Sequence, residues 1–418
     1  MKKEILIKNA RVVDPSQKLD KVCDVCVADG VFVKSVSSKA KVVDAKGLVL
    51  APGFVDMHVH LREPGQTSKE TVETGTAAAA AGGFTTIVAM PNTSPAADNA
   101  ATIRLINDII SETAKVRVYQ SACITEGRKG EKLAPFGTLK KLGVIAITDD
   151  GSCIQSAELM RNAMEYAKMF DLLVMDHCQE NTLTKTGQMH EGEWSARLGL
   201  GGWPAAAEDI IVARDAILAH YTKSHIHLQH ISSAMSVDII RSAKRRGTSI
   251  SAEATPHHLS LTDACLKDYD TNYKMCPPVR SQADVDALVA GVVDGTIEVI
   301  ATDHAPHTEN EKDREFDCAP FGIIGFETAF SVCHDVLVRS KKIKLSKLVE
   351  LMSTRPAQLL KIDAGTLREG AKADFVLIDE NLEYVYGQTL SRSTNSPWLG
   401  KKLRGKVVAT YLGGKKIY

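Results

Sequence analysis

Two histidines and an arginine lie at alternate positions early in this chain of 418 residues. They are His58, His60 and Arg62, and the first two belong to an apolar run that is typical of a strand buried on both faces. Because residues two apart on a strand point the same way, the three side chains are predicted to converge. Neutral imidazoles can chelate a metal ion, and a guanidinium can bind a carboxylate. A buried strand with two hydrogen-bonded histidines is the alternative.

Four later apolar runs of strand type also end in potential metal ligands. With His58 and His60, the histidine nitrogens and carboxylate oxygens suit zinc or a similar divalent ion. About six ligands exceed what one tetrahedral zinc site uses, so two metals that share a bridging carboxylate are predicted. The additional candidates are Asp149, Asp150, Asp176, His177, His230, Asp303 and His304.

Strand-type runs and helical stretches alternate through the middle of the chain. This alternation predicts an α/β fold, a TIM-type (β/α)8 barrel, whose functional residues lie at the C-terminal ends of the strands. The predicted strands are 55–60, 85–90, 116–122, 144–148, 172–177, 225–230, 249–254 and 298–303. The predicted helices are 68–81, 100–113, 157–170, 206–221, 234–246 and 283–293.

The two ends of the chain share a different pattern. Short β-type runs separated by turn residues occur in both, which is typical of hairpins. The termini are therefore predicted to meet in one small β-sandwich domain. The predicted domains are a sandwich built from residues 1–50 and 361–418 and a catalytic barrel over residues 51–360.

Composition narrows the classes of partner. Lysine plus arginine and aspartate plus glutamate both total 51, so no charge excess favours nucleic acid or an anionic membrane. A small-molecule substrate is expected. No apolar run approaches the length of a membrane span, and a cytoplasmic location is expected.

Five motifs in combination resemble the bacterial class I dihydroorotases of the amidohydrolase superfamily. The resemblance implies reversible hydrolysis of L-dihydroorotate to N-carbamoyl-L-aspartate in de novo pyrimidine (UMP) biosynthesis. It also implies a homodimer and a possible association with aspartate transcarbamoylase. The motifs are 56–65 (Asp-Met-His-Val-His-Leu-Arg-Glu-Pro-Gly), 90–93 (Met-Pro-Asn-Thr), 148–151 (Thr-Asp-Asp-Gly), 255–259 (Thr-Pro-His-His-Leu) and 301–307 (Ala-Thr-Asp-His-Ala-Pro-His).

The same resemblance implies the site residues. One zinc would be held by His58, His60 and Asp303, the other by His177 and His230, and Asp150 would bridge them. Asp303 would also be the general base in hydrolysis and the general acid in ring closure. The family commonly has asparagine where this chain has a cysteine, whose thiol cannot reproduce the hydrogen bonds of an amide. The implied substrate-binding residues are His60, Arg62, Asn92, Cys276, His307, Phe321 and Gly322.

Several alternatives remain open. Hydantoinases, dihydropyrimidinases and allantoinases resemble this pattern but bridge their metals with a carboxylated lysine, where this chain has Asp150. A metal-free homologue that binds a partner enzyme would be expected to have lost ligands. The segment 307–321 is either a lid or a fixed loop. His220 and His225 are expected at the surface, and structural packing is the expected role of His257 and His258.

Overall fold

A closed barrel of eight parallel strands forms the centre of the molecule. The computed structural model describes residues 4–418, so the first three residues of the predicted sandwich segment lie outside the described residues. The strands are hydrogen-bonded in chain order, and a parallel bridge between Val59 and His304 joins the last to the first. The strands are β1 (Phe54–Val59), β2 (Phe84–Ala89), β3 (Arg117–Ala122), β4 (Ala146–Ile147), β5 (Leu173–Asp176), β6 (Ile226–Leu228), β7 (Ile250–Ala254) and β8 (Val299–Ile300). The predicted TIM-type barrel is confirmed.

A helix follows each strand. They are α1 (Val72–Ala81), α2 (Ala100–Thr113), α3 (Phe136–Lys141), α4 (Ala157–Lys168), α5 (Ala206–Thr222), α6 (Ala234–Arg245), α7 (Gln282–Asp294) and α8 (Ala329–Cys333). Six of these correspond to predicted helices, whereas α3 and α8 were not predicted. Within residues 4–418, no helix combines the length and the apolar character that crossing a bilayer requires.

Shorter elements fill the connections. Met189–His190 pairs with Gly202–Trp203 in the long β5–α5 connection. The short α-helices are Asn181–Thr184, Glu193–Leu198, Pro256–Ser260, Glu309–Lys312, Leu345–Val349 and Arg355–Leu360. The 3-10 turns are Pro15–Gln17, Glu126–Arg128, Asp263–Leu266 and Thr271–Tyr273, and π-helical turns occur at His334–Arg339 and Glu350–Thr354.

Alternate residues of the strands face two different cores. Val55, Met57 and Met175 point into the barrel, where all three belong to one apolar cluster. Val174 and Leu228 point outward and pack in the larger core beneath the helices. The same alternation brings Ser251 and Glu253 of β7 to the same space, where both contact His227. Strand β1 departs from it, because its register shifts between Asp56 and Val59.

A small domain contains strands from both ends of the chain, as predicted. One sheet has the order Val31–Val33, Val25–Ala28, Glu4–Lys8, Lys41–Asp44. The other has the order Lys415–Lys416, Lys402–Leu412, Phe375–Val385, Val49–Pro52, Arg11–Asp14, Leu19–Val22. The Thr410 hydroxyl donates to the Ala80 carbonyl of α1 (2.7 Å), which ties this domain to the barrel. The domain boundaries at residues 50 and 360 stay predictions.

Candidate metal centre

The six predicted metal ligands lie together at the C-terminal mouth of the barrel. All are buried, and each belongs to the end of a strand or to the residues that follow it. Their ligand atoms form three overlapping groups, and the atoms of each group lie within 4.8 Å of one another. The groups are His58, His60 and Asp150; His58, His230 and Asp303; and Asp150, His177 and His230. We call these six residues the metal cluster.

Asp150 is at the middle of the metal cluster. Its Oδ1 lies 3.3 Å from His58 Nε2, 3.4 Å from His177 Nδ1 and 3.6 Å from His230 Nε2. Its Oδ2 lies 3.3 Å from His60 Nε2. One carboxylate therefore faces histidines of both predicted zinc sites, as a bridging ligand requires.

The donor atoms of the metal cluster fit a divalent cation. Within residues 4–418, His58 Nε2 and Asp150 Oδ2 are buried without a hydrogen-bond partner. His177 Nδ1 and His230 Nε2 face each other at 2.8 Å. Buried polar atoms are almost always satisfied, so a group of converging lone pairs indicates a bound cation. Imidazole nitrogen and carboxylate oxygen are ligands that zinc accepts.

Electrostatics hold the cluster carboxylates in the form that binds a metal. Burial raises the pKa of Asp150, but the imidazoles of His58, His177 and His230 outweigh it and place the pKa well below its ordinary value. Asp303 is similar, because His58 and His60 overcome the effect of burial and lower its pKa. Both side chains are therefore anions at neutral pH, as metal ligands must be.

Three residues at the mouth have an unusual backbone conformation. The φ angles of Arg62, His230 and Asp303 are 60°, 32° and 46°. Non-glycine residues seldom adopt this left-handed region, and such strain is concentrated at functional sites. In each case the chain turns sharply just after a barrel strand, which directs the side chain to the mouth.

Buried polar groups that the sequence analysis did not select hold the histidines. Glu253 Oε1 accepts a hydrogen bond from His58 Nδ1 (2.6 Å), and Asp56 accepts one from the His58 backbone N–H (3.1 Å). Asn92, predicted only to bind substrate, accepts one from His60 Nδ1 through its Oδ1 (2.9 Å). Acidic residues inside apolar predicted strands, such as Glu253 and Asp56, are rare, and this signal could have identified them.

The remaining acidic and histidine candidates have other partners. The carboxylate of Asp149 accepts from the backbone N–H groups of Ile124 and Thr125 (2.9 and 3.1 Å). Asp176 forms an ion pair with Arg214 (3.0 Å). His304 Nε2 donates to Glu70 (3.2 Å). These bonds point the three side chains away from the metal cluster.

A cavity of about 320 Å³ lies beside the metal cluster. Every residue predicted to bind substrate lines it, together with Asp150, His177, His230 and Asp303. We call the lining residues that were predicted to bind substrate and that lie outside the metal cluster the substrate wall. It comprises Arg62, Asn92, Cys276, His307, Phe321 and Gly322.

Arg62 brings a positive charge into the cavity, and its hydrogen-bond partners among residues 4–418 carry no negative charge. Its Nε donates to the Pro306 carbonyl (3.2 Å) and its Nη2 donates to His307 Nε2 (3.3 Å), so neither partner is a carboxylate. Burial lowers the pKa of Arg62 to about 10, which leaves it charged at neutral pH. A buried guanidinium without an anion is unfavourable, so the cavity favours an anionic ligand.

Two buried lysines hold the segment 307–321, and one of them, Lys312, belongs to the segment itself. Lys312 Nζ donates to the carbonyls of Pro320 (2.9 Å) and Gly322 (3.1 Å). Lys274 Nζ donates to the Phe316 carbonyl (2.5 Å). At Gly322 a Cβ atom would lie 2.5 Å from the Ala305 carbonyl oxygen, so only glycine fits this close approach. These contacts hold the segment in place; a lid and a fixed loop both stay predictions for it.

Cys276 and several histidines complete the description. Cys276 Sγ lies 3.7 Å from His177 Nε2 and so faces the cavity. His257 and His258 are buried, and His258 Nε2 donates to the Pro277 carbonyl (2.9 Å), in keeping with a packing role. His225 was expected at the surface, and it is partly exposed there. It is half-buried at the opposite mouth, between the hydroxyls of two serines of the neighbouring strand.

Comparison with known proteins identifies close relatives along the whole chain. A family described as "Dihydro-orotase-like" matches residues 47–236. The chain is 48% identical over 421 residues to a protein named "Dihydroorotase" from Geotalea daltonii, covering 99% of each chain. It is 45% identical over 416 residues to another of that name from Endomicrobium trichonymphae, again with 99% of each covered.

Solved structures share the fold at much lower sequence identity. An L-hydantoinase (dihydropyrimidinase) from Arthrobacter aurescens has a TM-score of 0.89 and 21% identity, with 100% of this chain and 96% of that chain covered. A dihydropyrimidinase from Brevibacillus agri has a TM-score of 0.86 and 24% identity, with 100% and 95% covered. These likenesses support the barrel architecture alone.

Proposed function

Because the chain belongs to the dihydroorotase family, we propose that it catalyses the reversible hydrolysis of L-dihydroorotate to N-carbamoyl-L-aspartate. This is a step of de novo pyrimidine biosynthesis. The chain is a metal-dependent cyclic amidohydrolase. The observation that carries the proposal is the Arg62 guanidinium, without an anionic hydrogen-bond partner among residues 4–418, in the same cavity as the metal cluster, because dihydroorotate offers both a carboxylate and a ring amide.

The metal cluster is proposed to hold two zinc ions. His58, His60 and Asp303 would bind one, His177 and His230 the other, and Asp150 both; the central position of Asp150 supports this division. When bound, two such ions lower the pKa of a water to supply hydroxide at neutral pH and polarise the attacked carbonyl. Elemental analysis of the purified protein measures the identity and number of the metals.

Asp303 is proposed as the general base. Its carboxylate is buried at the mouth, and the imidazoles of His58 and His60 keep its pKa low, so it can accept the proton of the attacking water. It would then pass that proton to the ring nitrogen that leaves, and it would return the proton in ring closure. Microscopic reversibility requires the same residue in both directions.

The substrate wall is proposed to orient the ring. Arg62 would bind the substrate carboxylate with its free guanidinium N–H groups. Asn92, His307, Cys276, and the backbone at Phe321 and Gly322 would contact the rest of the ring, with His60 contacting both substrate and metal. Fixing the ring in this way places the scissile amide against the metal cluster.

An assay of ring opening on four substrates tests the proposal. We expect dihydroorotate to be hydrolysed far faster than dihydrouracil, hydantoin and allantoin, because none of these three competitors has a carboxylate and Asp150 replaces the lysine of their enzymes. Comparable efficiency on dihydrouracil would instead favour a dihydropyrimidinase. Each assay uses zinc-loaded protein of measured metal content.

We further propose a cytoplasmic homodimer that can associate with aspartate transcarbamoylase. The exposed apolar side chains Ile210, Ile217 and Tyr221 of α5 offer one surface for such contacts. Sedimentation of the chain alone tests the dimer. Sedimentation of a mixture with aspartate transcarbamoylase tests the association. If each protein sediments at the rate that it has alone, the association is contradicted.

A further inference from the structure

A row of polar side chains runs through the interior of the barrel from the metal cluster to the opposite mouth. Barrel interiors are usually filled by apolar branched side chains, as they are here on β1 and β5. On β6 and β7 the strand register instead sets His227 beside Ser251. His227, Ser251 and Glu253 have no solvent exposure. We call the row formed by Ser249, His225, Ser251, His227 and Glu253 the polar row.

Each member of the polar row is hydrogen-bonded to the next. The contact distances are short throughout, and the row ends on a residue of the metal cluster. They are Ser249 Oγ to His225 Nδ1, 2.8 Å; His225 Nε2 to Ser251 Oγ, 2.9 Å; Ser251 Oγ to His227 Nδ1, 2.8 Å; His227 Nε2 to Glu253 Oε2, 3.0 Å; and Glu253 Oε1 to His58 Nδ1, 2.6 Å.

The direction of each bond follows from which groups can accept. His58 Nδ1 lies 3.2 Å from the amide nitrogen of Gln229, but its contact with Glu253 Oε1 is much shorter (2.6 Å) and sets the position of its hydrogen. A carboxylate only accepts, so His58 Nδ1 and His227 Nε2 must both carry the hydrogen that they donate to Glu253. A neutral His227 then accepts at Nδ1 from the Ser251 hydroxyl. Ser251 in turn accepts from His225 Nε2, and His225 accepts at Nδ1 from Ser249. All donors of the polar row therefore point toward Glu253.

Glu253 also touches the second half of the metal cluster. Its Oε1 accepts from the backbone N–H of His230 (3.1 Å) as well as from His58. One carboxylate thus contacts a residue of each proposed zinc site. Burial of an acidic side chain is unfavourable unless donors surround it, and three donors converge on Glu253.

We propose that Glu253 is a positioning residue for the metal cluster and that the polar row holds it in place. With hydrogen on Nδ1, His58 directs its free Nε2 toward Asp150 and Asp303. The backbone contact fixes where His230 turns out of β6. The inference rests on the proposed roles of His58 and His230 as metal ligands, and it assigns to Glu253 the carboxylate that commonly orients a metal-binding histidine.

The tautomers can be measured directly. In zinc-loaded full-length protein with 15N-labelled histidine, two-bond 1H–15N spectra distinguish an Nδ1–H from an Nε2–H ring. We expect His58 to carry hydrogen at Nδ1 and His227 to carry it at Nε2, with His58→Gln and His227→Gln used to assign the signals. A His58 ring with hydrogen at Nε2, or His227 with hydrogen at Nδ1, overturns the proposal.

Metal affinity gives a second readout, measured by competition between the loaded protein and a chromophoric chelator. In Glu253→Gln the amide N–H₂ must face one of the groups that donate to Glu253, and two donors repel each other. We therefore expect this variant to bind zinc roughly 10- to 100-fold less tightly than the unaltered protein. Excess zinc should restore turnover to this variant. Added zinc would not restore turnover if the substitution had only caused misfolding. Unchanged affinity in a folded Glu253→Gln protein overturns the proposal.

If Glu253→Gln does not fold, two less disruptive variants test the same proposal. Ser251→Ala removes a buried hydroxyl of the polar row, whereas Thr86→Val removes a buried hydroxyl that finds no hydrogen-bond partner among residues 4–418. We expect weaker zinc binding in Ser251→Ala alone; equal affinity of the two variants contradicts the proposal. Neither result depends on dihydroorotate turnover by the unaltered protein, which tests the proposed function separately.

Discussion

The metal cluster and the substrate wall line one cavity but are supported in different ways. The metal cluster lies at the ends of five barrel strands and is held by buried acids within the same barrel, such as Glu253 and Asp56. Most of the substrate wall lies on connections, supported by Lys274 and Lys312, which donate to backbone carbonyls. Strand ends are positioned by the sheet itself, whereas each connection depends on individual contacts. We therefore expect substitutions in the metal cluster to affect turnover and those in the substrate wall to affect substrate choice and binding.

The largest effect is expected at Arg62, in the substrate wall. Arg62→Met removes the partner of the substrate carboxylate, and a site built for a polar group discriminates by roughly 10⁴ against a ligand without it. The kcat/KM for dihydroorotate should fall steeply, while the weak activity on dihydrouracil stays nearly the same. Arg161→Met is the matched control, because Arg161 forms an exposed ion pair with Glu165 (3.1 Å) outside the cavity lining. Equal losses on both substrates would contradict the assignment.

Asp303 tests the metal cluster. Asp303→Asn leaves a side chain of the same shape that cannot accept a proton from water, and loss of a general base lowers rate by about 10² to 10⁴. We expect kcat to fall while KM for dihydroorotate changes little. Zinc content measured on the same preparation separates lost chemistry from lost metal. Near-normal turnover would remove Asp303 from its proposed role.

Lys312 tests the support of the substrate wall through pH. Burial lowers the pKa of this ammonium from 10.5 to about 7. Between these values the unfolded chain binds more protons than the folded one, so the contribution of Lys312 to stability rises with pH, by up to about 1.4 kcal/mol per unit. Below the folded pKa it should be constant. The measurement is the difference in free energy of unfolding between the unaltered protein and Lys312→Met.

Lys274 provides the matched control for that experiment. Burial lowers its pKa to about 8, so the corresponding rise for Lys274→Met should begin about one pH unit higher. Identical pH dependence of the two differences, or none, would contradict the two lowered pKa values.

The smallest effect is expected at Cys276. Cys276→Asn introduces the amide that the family commonly has, and one added hydrogen bond contributes about 0.5–1.5 kcal/mol, roughly two- to tenfold in binding. KM for dihydroorotate should fall by that factor with kcat unchanged. Cys276→Ala, which adds no donor, should show no such gain; if both variants behave alike, the cysteine position does not contact substrate.

The same contrast explains what could be read from the sequence. Apolar runs followed by His or Asp predicted the barrel and nine candidate ligands at its mouth, because the sheet brings strand ends together whatever the connections do. The resemblance to the dihydroorotases then selected the six residues of the metal cluster from those nine. Strand lengths were overestimated: β4 and β8 contain only Ala146–Ile147 and Val299–Ile300. After β8 the chain turns at Asp303, whose φ is 46°. No residue type near Asp303 predicts that turn.

Contacts between distant segments were not predictable. The hydrogen bond from Arg117 to Asp374 (2.9 Å) joins residues 257 positions apart, and nothing in either local sequence indicates it. Helix α8 and its π-helical continuation also escaped prediction. Glu253 is an intermediate case, since a charged residue in an apolar strand indicates a special role but not which histidine it holds.

Asn395 determines when, during synthesis of the chain, the substrate wall can form. Its side chain accepts from the His307 backbone N–H (3.0 Å) and donates to the carbonyls of Ala305 and Gly322 (both 3.0 Å). A ribosome extends the chain from its N-terminus, so every residue of the metal cluster has been synthesised once Asp303 is added, whereas the substrate wall must wait for Asn395. A nascent chain would thus be able to acquire metal well before it could close a competent substrate pocket around it.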